Sequence, residues 1–105
     1  MMINDDKKLI NILKKFPDQN PNPVLRISEK GILEYFNRPS KIIIDHYDFK
    51  LKNKVNDIFL AELKETLSKN EHTFEIKLES SSFLLKAIYI KELNSFNIYG
   101  TEYNC

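Results

Sequence analysis

The spacing of apolar positions along this chain alternates between helical and strand-like periods, and each switch marks an element. In DDKKLINILKKF, Leu9, Ile12, Leu13 and Phe16 fall on one helical face. Asn4, Asp5 and Asp6 suit the start of that helix and Lys14 and Lys15 its end. Pro17 stops it, because proline disfavours helix in the residue before it. PDQNPNP is a turn-rich connector. VLRIS and ILEYF read as two short strands, joined through Gly31, which tolerates positive φ. NRPS and KIIIDHY, within residues 37–50, predict short irregular helical turns. From Asn53 to Lys69 the spacing predicts one helix with a stripe of Val55, Ile58, Phe59, Leu63 and Leu67, stopped at Asn70.

The last third is strand-like. HTFEIKLES alternates Phe74, Ile76 and Leu78 with polar neighbours, as a half-buried strand does. FLLKAIYIKE is apolar on both faces and reads as a central strand packed on both sides. ELNS turns the chain into FNIYG. The order is helix, hairpin, helical stretch, three-strand meander. It predicts an α+β domain: a five-stranded antiparallel sheet with helices on one face and an N-terminal amphipathic helix. Residues 1–16 form the flanking helix and 17–105 the domain proper.

Composition narrows the function classes. At 105 residues the chain suits one domain, and 42% hydrophobic with 30% charged residues describes a globular protein. A net charge of +1, with lysines interleaved among acids, gives no electrostatic footprint for nucleic acid. The single cysteine, Cys105, forms no internal disulfide and favours a reducing compartment. No apolar run reaches the ~20 residues of a membrane span. MMINDDKK is too acidic for a signal peptide, so a soluble cytoplasmic domain is expected. Cys105 follows a strand with no natural stop, which reads as part of a longer chain.

Two segments carry a resemblance. NPNPVLRISEKGILEYFN, residues 20–37, resembles the opening of a PAS domain: paired prolines, a strand, a glycine turn, a second strand, and an asparagine at the start of the helical segment. FNIYGTEYN resembles its close, where the last strand reaches a glycine and a D-I-T triplet. Here the triplet reads Glu102, Tyr103, Asn104, and only the acidic character of the first position is kept. The resemblance covers roughly residues 17–104. It implies a non-catalytic sensor and dimerisation domain in signal transduction, regulating a histidine kinase, a cyclase or a similar protein of a two-component or related system. It also implies a sheet whose helix-covered face holds a ligand or is filled by side chains. By the same resemblance Glu102 is the candidate for signal output, tethering the end of the last strand.

No enzyme chemistry emerges from the residues. His46 and His72 lack second ligands at metal spacing, so no metal site is expected. Ser80, Ser81 and Ser82 are turn residues with no base beside them, and two glycines do not make a phosphate loop. Haem-binding relatives use a histidine on the long helix, and Asn53–Lys69 has none, which disfavours haem. A cysteinyl-flavin adduct is excluded, because no cysteine precedes residue 105. No cofactor is predicted. The ligand-pocket candidates are Tyr35, Tyr47, Phe59, Leu63, Phe74 and Ile76, with Asn37 and His46 as polar anchors. The competing expectation is that these large side chains simply fill the core, leaving a ligand-free protein–protein interaction module. The stripe Leu9, Ile12, Leu13 and Phe16 is broad for so short a helix, which must pack on something. The expected partners are a second copy through this helix, a small-molecule ligand and a downstream signalling domain.

Overall fold

The computed structural model describes residues 20–103. The dimer-helix residues Leu9, Ile12, Leu13 and Phe16, and the 1–16 segment as a whole, lie outside that range. Two strands open the described chain, β1 (Val24–Ser28) and β2 (Leu33–Phe36). A 3-10 turn over Arg38–Ser40 leads into α1 (Lys41–Tyr47). Two further helices, α2 (Asp57–Lys64) and α3 (Thr66–Lys69), precede β3 (Glu71–Lys77), β4 (Ser82–Ile90) and β5 (Ser95–Tyr103). The strands form one antiparallel sheet in the order β2-β1-β5-β4-β3, so the first and last strands meet near its centre.

The hairpin turn forms as its glycine predicts. Gly31 has φ +93°, and its N–H donates to Ser28 O at 2.8 Å. A Cβ at this position would lie 2.9 Å from Leu60 Cδ2, which would have to move aside, and the positive φ strains any side chain there. β2 is one residue shorter at its start than ILEYF suggests. Ile32 instead makes an isolated bridge to Lys54, which anchors the segment between α1 and α2 to the sheet edge.

Helix 53–69 differs from its predicted form. It begins at Asp57, capped by Asn56, whose side chain accepts the Phe59 N–H at 2.7 Å, and it breaks at Glu65 into two short helices. The buried stripe is correspondingly rotated. Phe59, Leu60 and Leu63 are buried, with Val55 just ahead of the helix, and Thr66 is buried behind them. Ile58, at 82% exposure, and Leu67, at 50%, point to solvent. Starting the helix four residues later is what shifts the phase. Asn70 ends it with φ +70°, as expected of its residue type.

The strand buried on both faces is β5, not β4. On the helix side Phe96 and Ile98 are fully buried. On the other side Ser95 and Asn97 are also buried, flanked by Ile90 and Ile88 of β4 and by Ser28 and Arg26 of β1. Their polarity is absorbed locally: Ser95 Oγ donates to Glu34 Oε1 at 2.6 Å, and Arg26 Nε donates to Asn97 Oδ1 at 3.3 Å. β4 alternates instead, with Phe83, Leu85 and Ala87 buried and Leu84 and Lys86 exposed. The core lies between the helices and one sheet face, where Leu25, Ile27, Phe74, Ile76, Phe83, Leu85, Phe96 and Ile98 meet Ile43, Ile44, Phe49, Val55, Phe59, Leu60 and Leu63. The observed phase of α2 makes a direct prediction. Phe59→Ala will cost roughly 3–5 kcal/mol of stability, while Ile58→Ala will stay within about 0.5 kcal/mol of the parent, as read from urea unfolding midpoints.

Candidate functional site

The helical segment is fixed to the sheet at its origin by Asn37. Its side-chain oxygen accepts the Val24 N–H at 2.9 Å and the Ser40 N–H at 3.2 Å, and its amide nitrogen donates to Asn22 O at 2.9 Å. The Asn37 main-chain N–H also donates to Val24 O at 3.1 Å. At 2% exposure this residue is a buried clamp between the proline-flanked opening and the first helical turn.

From that origin the helices carry a set of aromatic rings over the sheet. Tyr47, at the end of α1, stacks on Phe49 with centroids 5.0 Å apart. Phe49 meets Phe59 of α2 edge-on at 5.3 Å, and Phe59 meets Phe74 of β3 edge-on at 5.6 Å. His72 stacks on Phe74 and places Nε2 2.9 Å from Glu62 Oε1, so this histidine is committed to a contact between β3 and α2. Such ring pairs add stabilisation beyond the area they bury. They also occupy the middle of the helix-covered face.

What remains open is a cleft of about 280 Å³ between α2 and β3. Tyr47, Asn56, Ile58, Phe59 and Glu62 form its helical side, and Phe74 to Lys77 its strand side. Four of the pocket candidates therefore come together here: Tyr47, Phe59, Phe74 and Ile76. The others are placed elsewhere. Leu63 is fully buried in the core, and Tyr35 sits opposite Arg26 on the face away from the helices. His46 is exposed, edge-on to Tyr47 at 4.8 Å. Asn37 serves the clamp. Glu102 is exposed within β5, opposite Phe83, and makes no side-chain hydrogen bond or ion pair among the described residues. Asn56, Ile58, Glu62, Glu75 and Lys77 complete the cleft. The sequence placed Ile58 in the buried stripe of the helix and gave no signal for the others, because their roles depend on where α2 begins and on which side of the sheet β3 lies.

Burial pushes the Tyr47 phenol above its ordinary value of 10.0. Its hydroxyl makes no hydrogen bond among the described residues, so the ring presents a neutral donor to the cleft. Among those residues no cluster of three His, Cys, Asp or Glu side chains could hold a metal ion, and no helix is long and apolar enough to cross a membrane.

With this geometry established, solved structures supply a comparison. The PAS domain of BvgS from Bordetella pertussis is similar, with a TM-score of 0.57 at 13% identity, over 93% of this chain and 87% of that one. The PAS domain of an HTR-like protein from Haloarcula marismortui is similar with a TM-score of 0.51 at 11% identity, over 95% and 98%. No family model and no curated protein sequence matches the chain. The fold is that of a PAS domain, as the opening and closing segments imply.

Two predictions follow from the clamp and the phenol. Asn37→Ala leaves the Val24 N–H and the Asn22 carbonyl without their partner, and will cost about 2–4 kcal/mol in chemical denaturation. Tyr47 keeps its proton in the native state at pH values where the unfolded chain loses it, so its contribution to stability declines as pH rises above 10.0. An ultraviolet titration will show late tyrosine ionisation. Tyr47→Phe will remove one tyrosine's share of it, leaving that of Tyr89, whose phenol burial and the neighbouring Glu29 also push up.

Proposed function

We propose that this chain is a non-catalytic PAS-type sensor and dimerisation domain, the cytoplasmic regulatory part of a larger signalling protein such as a histidine kinase or cyclase. The observation that carries this reading is the aromatic-walled cleft between α2 and β3, beside helices whose origin is clamped to the first strand. A small molecule in that cleft would touch α1, α2 and β3 together, so its occupancy would bias their relative position. Glu102, near the end of the last described strand, is suited to pass such a change onward. The N-terminal stripe Leu9, Ile12, Leu13 and Phe16 would supply the dimer contact.

A specific observation also favours a second reading, the interaction module without a ligand. The rings from Tyr47 to Phe74 fill the centre of the helix-covered face, and Leu63, Leu85 and Ile98 are fully buried behind them. Native mass spectrometry of gently purified protein separates the two. A retained small molecule, lost in Phe59→Trp through occupation of the cleft, supports the sensor; bare protein in every preparation supports the module. Light scattering at increasing concentration tests dimerisation. A dimer that Leu13→Glu dissociates is expected, and a monomer at all concentrations would refute the helix contact.

A further inference from the structure

In the sheet order, β3 has a strand neighbour on one side only among the described residues. Which of its backbone groups face the open edge follows from the alternation of antiparallel pairs. Glu29 N–H donates to Asn94 O, and Gly100 N–H to Pro23 O, so the even-numbered residues of β5 turn their main-chain groups toward β1. Asn97, Tyr99 and Thr101 then turn toward β4 and meet Ile88, Lys86 and Leu84. That leaves Phe83, Leu85 and Ala87 of β4 to bond Ile76, Phe74 and His72 of β3. The turn between these strands gives the same phase, since Leu78 N–H donates to Ser81 O at 2.8 Å. Glu71, Thr73, Glu75 and Lys77 thus direct their N–H and C=O groups out of the sheet.

The 280 Å³ cleft lies against this same edge, with Glu75 and Lys77 in its lining and the exposed Ile58 at its rim. We propose that the β3 edge and the cleft together bind an extended peptide segment of another protein. The peptide adds as a sixth strand, takes its main-chain hydrogen bonds from Thr73, Glu75 and Lys77, and inserts an apolar side chain between α2 and β3. A second copy of this chain does not satisfy the site through its own β3. Phe74 and Ile76 there are already buried in their own core and would leave the cleft empty. The exposed charges of Glu75 and Lys77, with Glu71 already paired to Lys86 at 3.2 Å, discourage indiscriminate strand pairing, while no described residue covers the outward backbone groups. They call for a partner with apolar residues at alternate positions and charges of both signs between them. This use needs neither a small molecule nor a dimer, but it shares the cleft with the sensor reading. A small molecule bound there would compete with the peptide's apolar side chain and leave the backbone groups of the edge unprotected.

The test uses the full chain, isotopically labelled, and a blocked peptide of about seven residues, one strand in length, alternating leucine with lysine and glutamate. Shifts at Glu71–Lys77 and Ile58, with amide exchange slowed at least about tenfold at Thr73, Glu75 and Lys77, are expected on saturation. The same peptide with prolines between its leucines will not bind, because it lacks the donors. Glu75→Pro removes an outward-facing donor that the β3–β4 ladder does not use, and an edge proline of that kind is tolerated. Ile58→Asp alters only the rim and guards against a folding defect in the proline variant. Each is expected to weaken binding at least about tenfold. The proposal is overturned by an absence of shifts at millimolar peptide, by shifts confined to another surface, or by unchanged affinity in Ile58→Asp. Edge amides already protected without peptide, increasingly so at higher protein concentration, would assign the edge to a second copy and overturn it equally.

Discussion

The amide of Asn37 sits where three parts of the chain converge, and the geometry of the helix-covered face depends on it. Its oxygen is shared between the Val24 and Ser40 N–H groups, and its nitrogen donates to the Asn22 carbonyl. The start of β1, the end of β2 and the first helical turn are therefore tied through a single buried side chain. A buried amide has few ways to satisfy all its donors and acceptors, so it admits few positions for the segments that supply them. From that fixed origin α1 places Tyr47 and Phe49, and α2 places Phe59 over Phe74. Loosening the clamp would leave the rings with their mutual attraction but without a set register against the sheet.

The ring cluster gives the interior two properties that bear on function together. It fills the centre of the domain with the chain's own side chains. It also stops short of the edge, where Tyr47 and Phe59 wall the helical side of an open cleft and Phe74 its strand side. The contact between His72 and Glu62 holds α2 to β3 beside that opening. A strand edge with outward main-chain groups and a neighbouring apolar cleft is chemically suited to extended chains, whereas the cleft alone suits a small molecule. Both uses draw on the same feature, the separation of α2 from β3 at their open end.

Much of this architecture was legible from particular residues. Gly31 signalled the hairpin, Asn37 the start of the helical segment and Asn70 its end, because each position demands a backbone angle or cap that few residue types supply. The pattern around Phe74 and Ile76 gave a one-sided strand correctly. The apolar stripe of the long helix was misplaced. Val55 and Ile58 fit a helical period, but Leu33 N–H donates to Asn53 O and Val55 N–H to Gly31 O, tying residues 53–55 to the sheet edge. Asn56 takes the cap, so α2 starts later and Ile58 faces outward. The central strand was misassigned for a related reason. FLLKAIYIKE looked buried on both sides, whereas the burial of Ser95 and Asn97 in β5 depends on Arg26 and Glu34, partners distant in sequence.

By itself the sequence determined the five strands in their order, the helical stretch between the second and third, and the PAS-like character of its two ends. Those features are written in local backbone preferences and in periodicity over a few residues. Tertiary structure alone decided which strand is central, which four pocket candidates share a cleft, and which strand stands at the edge beside that cleft among the described residues. Each of those outcomes rests on pairings between residues far apart in the chain, such as Arg26 with Asn97 or Phe59 with Phe74, and no local pattern encodes the choice among them.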